Sequence, residues 1–218
     1  WIAALMQTTP YDAVRDFSTI ALTNTAPNVL VVTPSLPVKS VTELVALAKA
    51  KPGALNYSTS AVGGSGHLAA ELFNVMAGVH TVHIPYKAAG LALSDLMGGR
   101  VQMAFATGGS VAPHVKSGRL KALAVTSLQP SILFPELPTV AASGLPGYES
   151  ITIHGLFAPA KTPAPLINRL NQETVRFLKT PEAKERFLNA GVEPAGTSPG
   201  EFTARIKSEV ARLQKVIK

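Results

Sequence analysis

The stretch Leu55-Asn56-Tyr57-Ser58-Thr59-Ser60-Ala61-Val62-Gly63-Gly64-Ser65-Gly66-His67 reads as a strand over 55–58, a loop of hydroxyls and glycines over 60–66, and a helix running from about 67 to 77. A strand handed to a helix by such a loop is half of a βαβ unit. Its neighbours repeat the pattern in both directions. Upstream, Asn28-Val29-Leu30-Val31-Val32-Thr33 is a short β-branched run that suits a buried strand, stopped by Pro34. Ser40 then starts a helix with Glu43 at capping-box spacing and Leu44, Leu47 and Ala48 on one face, and Lys51-Pro52-Gly53 ends it. Downstream, 81–84, 101–105 and 120–125 read as strands, separated by helices over 91–96 and near 110–117. The pattern predicts a mostly parallel α/β sheet, in which ligands bind at the carboxyl ends of strands.

Beyond residue 127 the texture changes. Residues 128–150 are rich in proline and glycine, 151–158 reads as a strand, and three helices follow, the last entered through Ser198-Pro199. One strand and three helices cannot build a sheet alone, so this tail must complete one begun elsewhere. Residues 1–27 supply little, so part of a second lobe is expected to be missing.

Composition bounds the function. With 218 residues, 46% hydrophobic and 15% charged, the chain buries a substantial core. It has no cysteine, which removes disulfides, thiolate metal sites and cysteine nucleophiles. No run approaches a membrane span, and residues 1–6 are too short, and lack the basic start, for a secretory signal. The net charge of +7 is dispersed among acids along the helices with no Arg/Lys cluster, which argues against a nucleic-acid partner. A diffuse positive field instead favours small anions.

Two loops carry the candidate chemistry. In the first, backbone N–H groups at a helix start and the hydroxyls of Ser58, Thr59, Ser60 and Ser65 make an anion pocket without formal charge. A plain Gly-rich turn with Ser65 as helix N-cap accounts for the same residues, and both readings stand on sequence alone. The Gly-Lys-Ser/Thr ending of a phosphate-binding P-loop and the dinucleotide fingerprint are both missing. The second loop, Phe105-Ala106-Thr107-Gly108-Gly109-Ser110, occupies the equivalent place after a later strand, so the two are expected side by side. His80 and His83 lack an acidic third ligand, which disfavours zinc, and no cofactor is indicated. His67 and His114 read as structural, whereas His154, between apolar neighbours, is a candidate cleft residue. Ser65 beside His67 raises a hydrolase or transferase, but the Gly-x-Ser-x-Gly spacing is not met and no carboxylate pair is available. An effector-sensing domain of a regulator is a third reading, weakened by the lack of a helix-turn-helix segment.

Several segments resemble the solute receptors of tripartite tricarboxylate transporters, the Bordetella-uptake or Bug family. They include Lys51-Pro52-Gly53-Ala54-Leu55-Asn56-Tyr57-Ser58, His67-Leu68-Ala69 with Glu71-Leu72-Phe73, and His83-Ile84-Pro85-Tyr86-Lys87. Leu120-Lys121-Ala122-Leu123-Ala124-Val125-Thr126, Leu137-Pro138-Thr139-Val140 and Gly155-Leu156-Phe157-Ala158-Pro159-Ala160 follow in the family's order. The resemblance implies an α/β, two-lobed periplasmic-binding-protein-like receptor of the Venus flytrap type, not an enzyme. One lobe, over 28–149, would be complete, and the other, made of a remnant over 1–27 and a return over 150–218, would lack its opening strands. It further implies a small mono- or dicarboxylate ligand, aromatic ones included, a membrane permease as partner, and self-association through the incomplete lobe. Carried over by position, Ser58, Thr59, Ser60, Gly64 and Ser65 would hold the ligand carboxylate, with Thr107 and His154 on other sides. The chain departs from the family at Ala61, Val62 and Gly64, where Gly, Asn and Thr are frequent. Ala106-Thr107 replaces a frequent Asp-Asn, whose lost acid argues against an amino-acid ligand.

Overall fold

The computed structural model describes residues 8–12 and 14–214. The reading of residues 1–6 as no secretory signal lies outside them. The described residues form two compact units, one drawn from the chain up to Thr25 and from Ile153 onward, the other spanning Ala26–Thr152.

The second unit is built on strand β1 (Phe17–Val32), whose residues 26–32 lie in it. Val29, Leu30, Val31 and Val32 are fully buried, as a continuous apolar run demands of a strand covered on both faces. β1 is followed by α1 (Val41–Ala50), β2 (Asn56–Thr59), α2 (Ser65–Ala77), β3 (Val82–Pro85), α3 (Ala89–Met97), β4 (Met103–Thr107), α4 (Gly108–Lys116) and β5 (Lys121–Val125). The strand order is β3-β2-β4-β1-β5. β2 runs parallel to β3 and β4, as the alternating pattern predicts, but β1 is antiparallel to both β4 and β5. The sheet is therefore mixed. Parallel neighbours need a crossover between them, and β1 leads through α1 to β2, which is not its neighbour. Asn28 consequently lies level with Thr107, at the end where β4 finishes.

One face of this sheet packs Val29, Val31, Ala104 and Val125 against Leu96 and Val111 of α3 and α4. Elsewhere in the unit, Phe105 meets Phe73 at 5.6 Å and Tyr148 at 6.4 Å between ring centres, and the Tyr148 hydroxyl donates to the Ala69 carbonyl at 2.8 Å. The Pro/Gly-rich connection is thus folded onto the unit, with Tyr148 fully buried. Ser40 caps α1 by accepting the Glu43 N–H at 3.1 Å. The reciprocal bond of the expected capping box is displaced by one residue, because the Glu43 carboxylate takes the Lys39 N–H at 2.8 Å.

In the first unit, which takes residues 153–159 of β6 (Ile151–Pro159), β1 pairs with β6 and, antiparallel, with β7 (Glu193–Pro194) through Asn24 and Thr25. This corrects the expectation that residues 1–27 supply little. The alternation of Thr19, Thr23 and Thr25 with Ile20 and Leu22 is a period-2 strand signal, masked by its hydroxyl face. Helices α5 (Ala164–Leu178), α6 (Pro181–Asn189) and α7 (Pro199–Leu213) cover the sheet. Leu22 packs with Phe202 and Ile206 of α7. Gly155 makes this possible, since a Cβ there would lie 2.2 Å from the Phe202 ring. Among the described residues no helix is long and apolar enough to cross a membrane.

Candidate functional site

A pocket of about 250 Å³ opens in the second unit, where β2 and β4 end and helices begin. Three helices start on it: Gly64, Ser65 and Gly66 of α2, Ala89 of α3, and Thr107 with Ser110 of α4 all line its wall. None of the three has a side-chain cap. Their N-cap residues are Gly64, Ala88 and Thr107, and the Thr107 hydroxyl is turned to Ser110 Oγ at 3.1 Å. The first N–H groups of a helix have no partner within it and carry the positive end of its dipole, so the wall is electropositive without an ionised side chain. Two glycines permit the approach. A Cβ on Gly66 would stand 2.3 Å from the Phe105 carbonyl oxygen, and one on Gly108 would stand 2.4 Å from the Phe134 ring. The loop itself turns at Gly63, whose φ of 76° is left-handed backbone that glycine adopts without strain.

The rest of the lining is apolar, from Ala61, Ala92, Leu93, Ala104, Phe105 and Ala106, joined by the polar side chains of Asn28, Ser58, Thr59, Ser60 and His67. Asn28 is 1% exposed and Ser58 2%, and no protein group reaches Asn28 Nδ2 or Ser58 Oγ. No lining residue is an acid, lysine or arginine, and His67 is the one imidazole. Its Nδ1 accepts the Gly63 N–H at 3.1 Å, which braces the loop and leaves the ring proton on Nε2. Behind His67 lies a stack of rings, with His83 at 4.4 Å and Tyr57 4.9 Å from His83. His83 Nε2 is 2.6 Å from Thr59 Oγ1. Burial, and next the adjacent His67, hold the His83 imidazole below its ordinary value, so it is neutral at neutral pH. Burial, then the hydrogen bond to Glu71, push the Tyr57 phenol well above its usual range.

Six of the residues singled out from sequence, Ser58, Thr59, Ser60, Gly64, Ser65 and Thr107, line this one pocket. Ser65 is the first helical residue rather than the N-cap, because the chain turns helical one residue early and Gly64 takes the cap position. Likewise 108–110 is the first turn of α4 and not a loop. His154 lies in the other unit, on β6, with Nδ1 bound to Asn24 Oδ1 at 2.8 Å, and is not part of this lining. Asn28 escaped the sequence reading because only the β1–β4 register brings it beside Thr107. No hydrogen bond joins Ser65 to His67, which stand two apart on one helix and so do not face each other. Among the described residues no group of three or more His, Asp or Glu is placed to hold a metal.

The model of the tripartite tricarboxylate transporter family receptor matches residues 3–218. The chain belongs to this receptor family. It is 38% identical over 209 residues to the UPF0065 protein in the tcbD-tcbE intergenic region of Pseudomonas sp. strain P51, covering 95% of this chain and 62% of that one. It is 33% identical over 215 residues to Protein BugT of Bordetella pertussis, covering 99% and 66%. The chain therefore spans less than two thirds of either relative. The solved structure of R. palustris Rpa4515 with adipate superposes with a TM-score of 0.81 at 36% identity, covering 96% of this chain and 70% of that one. The family is one of substrate-binding receptors rather than enzymes.

Proposed function

We propose that the chain is the ligand-capturing part of a periplasmic solute-binding protein, which takes a small mono- or dicarboxylate, aromatic ones included, into the second-unit pocket and delivers it to a membrane permease. The observation that carries this reading is the opening of three uncapped helix starts onto one pocket whose lining has no Asp, Glu, Lys or Arg. Each start favours an anion by about 0.3–1 kcal/mol, and N–H bonds to a carboxylate contribute about 1.5–3 kcal/mol apiece. The apolar lining accommodates a hydrocarbon body. No acid is present to meet an ammonium group, so amino acids bind less well than the corresponding simple acids. The complex of R. palustris Rpa4515 with adipate is a carboxylate precedent on the same fold.

The test is a thermal-shift and calorimetric screen of carboxylates, their amides, amino acids and sugars. A response confined to carboxylates is expected, and equal affinity for an acid and its amide rejects the proposal. Self-association belongs to the same reading, driven by apolar side chains left at the surface of the first unit, such as Phe157, Leu166 and Phe177. Size-exclusion chromatography that finds a monomer at every concentration removes that part.

A further inference from the structure

We infer that Asn28 and Ser58 are direct ligand contacts, donating from Nδ2 and Oγ to the captured carboxylate, and that the fold keeps them unsatisfied for this purpose. The inference rests on the carboxylate reading of the pocket; it adds Asn28 to the residues that hold the anion and gives Ser58, already a candidate, a direct donor role. Asn28 and Ser58 come from different strands, β1 and β2, with β4 between them in the sheet. Both line the pocket, and both are almost fully buried.

Everything else about Asn28 is fixed. Its N–H donates to Thr126 Oγ1 at 2.8 Å, and its carbonyl accepts the Thr126 N–H at 2.9 Å and the Thr126 hydroxyl at 3.0 Å. The backbone is pinned on the β5 side while the carboxamide has no protein partner for Nδ2. Comparable buried hydroxyls nearby are satisfied: Thr59 reaches His83, and Thr126 reaches Asn28. A buried donor without a partner destabilises a protein, and an apolar side chain of similar shape is neutral or stabilising in its place. Two such donors at one pocket are therefore a sign of selection for binding. An anion is the ligand that suits them, since amide and hydroxyl protons lie beside helix starts that favour negative charge.

The experiment sets affinity against ligand-free stability in Asn28→Leu, Ser58→Ala and Asn28→Asp, with adipate, succinate and benzoate as probes by calorimetry. For the tightest of these on the native chain, Asn28→Leu and Ser58→Ala are each expected to weaken binding about tenfold to a hundredfold. Their ligand-free Tm should equal or exceed that of the native chain. Asn28→Asp should bind more weakly still, because its carboxylate faces the anion. Affinity unchanged in Asn28→Leu and Ser58→Ala overturns the contact, and a lower Tm in both shows a structural role and overturns it as well. Equal or tighter binding by Asn28→Asp overturns the donor assignment. If no probe binds the native chain at all, the carboxylate reading itself fails and this inference goes with it, whereas native binding with indifferent variants rejects the inference alone.

Discussion

Helices begin differently in the two units. In the first, α6 and α7 start on Thr180 and Ser198, whose hydroxyls accept the Ala183 and Glu201 N–H groups, and Ser198 completes a full capping box. Asn171 there has both amide protons placed, on the Ile20 and Thr197 carbonyls at 2.8 Å each. In the second unit the three helices around the pocket start without caps, and Asn28 has no partner for Nδ2, although α1, away from the pocket, is capped by Ser40. α5, entered through Pro163, is the uncapped helix of the first unit. Of the four helix starts that serve the fold alone, three have a hydroxyl, from Ser40, Thr180 and Ser198, and the fourth has Pro163. Where a helix start faces the pocket, the sequence supplies glycine, alanine or a threonine turned aside, and the backbone N–H groups stay available.

The sharpest way to break this contrast is Gly66→Ala. Its Cβ would collide with the main-chain oxygen of Phe105, which cannot swing aside as a side chain would, so the start of α2 must move off the strand end. Calorimetry should find carboxylate binding weakened at least about a hundredfold, and urea denaturation a loss of about 1–3 kcal/mol. Thr107→Asp reverses the sense of the comparison by installing the missing cap on α4. The chain should gain about 0.5–1 kcal/mol while affinity for the acid falls about tenfold or more, the new carboxylate standing where the ligand's belongs. Ser198→Ala removes a cap of the other kind and should cost about 1 kcal/mol with no change in binding.

Smaller still are the acid limbs of stability. The Ser198 N–H, then its hydroxyl, hold the Glu201 carboxyl below its ordinary value of 4.5. That contribution is present above 4.5 and disappears as pH falls through the depressed folded value, so Glu201→Gln, which removes the titrating carboxyl, should flatten the melting profile in that range. For His83 the folded value lies below 6.5, so the unfolded chain binds the extra proton and stability rises with pH from the folded value up to about 6.5. Melting curves between about pH 5 and pH 7.5 should show a shallower rise in His83→Gln than in the native chain.

Much of the pocket was legible in the sequence because its chemistry is local. Glycines and hydroxyls between a strand and a helix state their own geometry, and Ser58, Thr59, Ser60, Gly64 and Ser65 line one pocket, although Thr59 ends β2 and Ser65 already opens α2. The second loop followed by analogy, although its glycines prove to be helical. What depends on register was not legible. Asn28 reads as the first residue of an apolar run, and only pairing with β4 turns it toward the pocket. β1 runs against the parallel sense of its neighbours for the same reason, since order and direction are decided by partners distant in sequence. β7 has two residues, too few for any periodicity, and exists because β1 offers it an edge.

A pocket that holds an anion by dipoles responds unusually to ionic strength. The field of a helix start fades within about one turn, well inside the screening length of about 8 Å at physiological salt. Added salt therefore has little to screen once the ligand is seated, and dissociation should keep its rate. The dispersed net charge of +7 acts at longer range and speeds only the approach, so salt should slow association alone. Retention in such a receptor is insulated from the salinity of its surroundings, while the rate of capture is not.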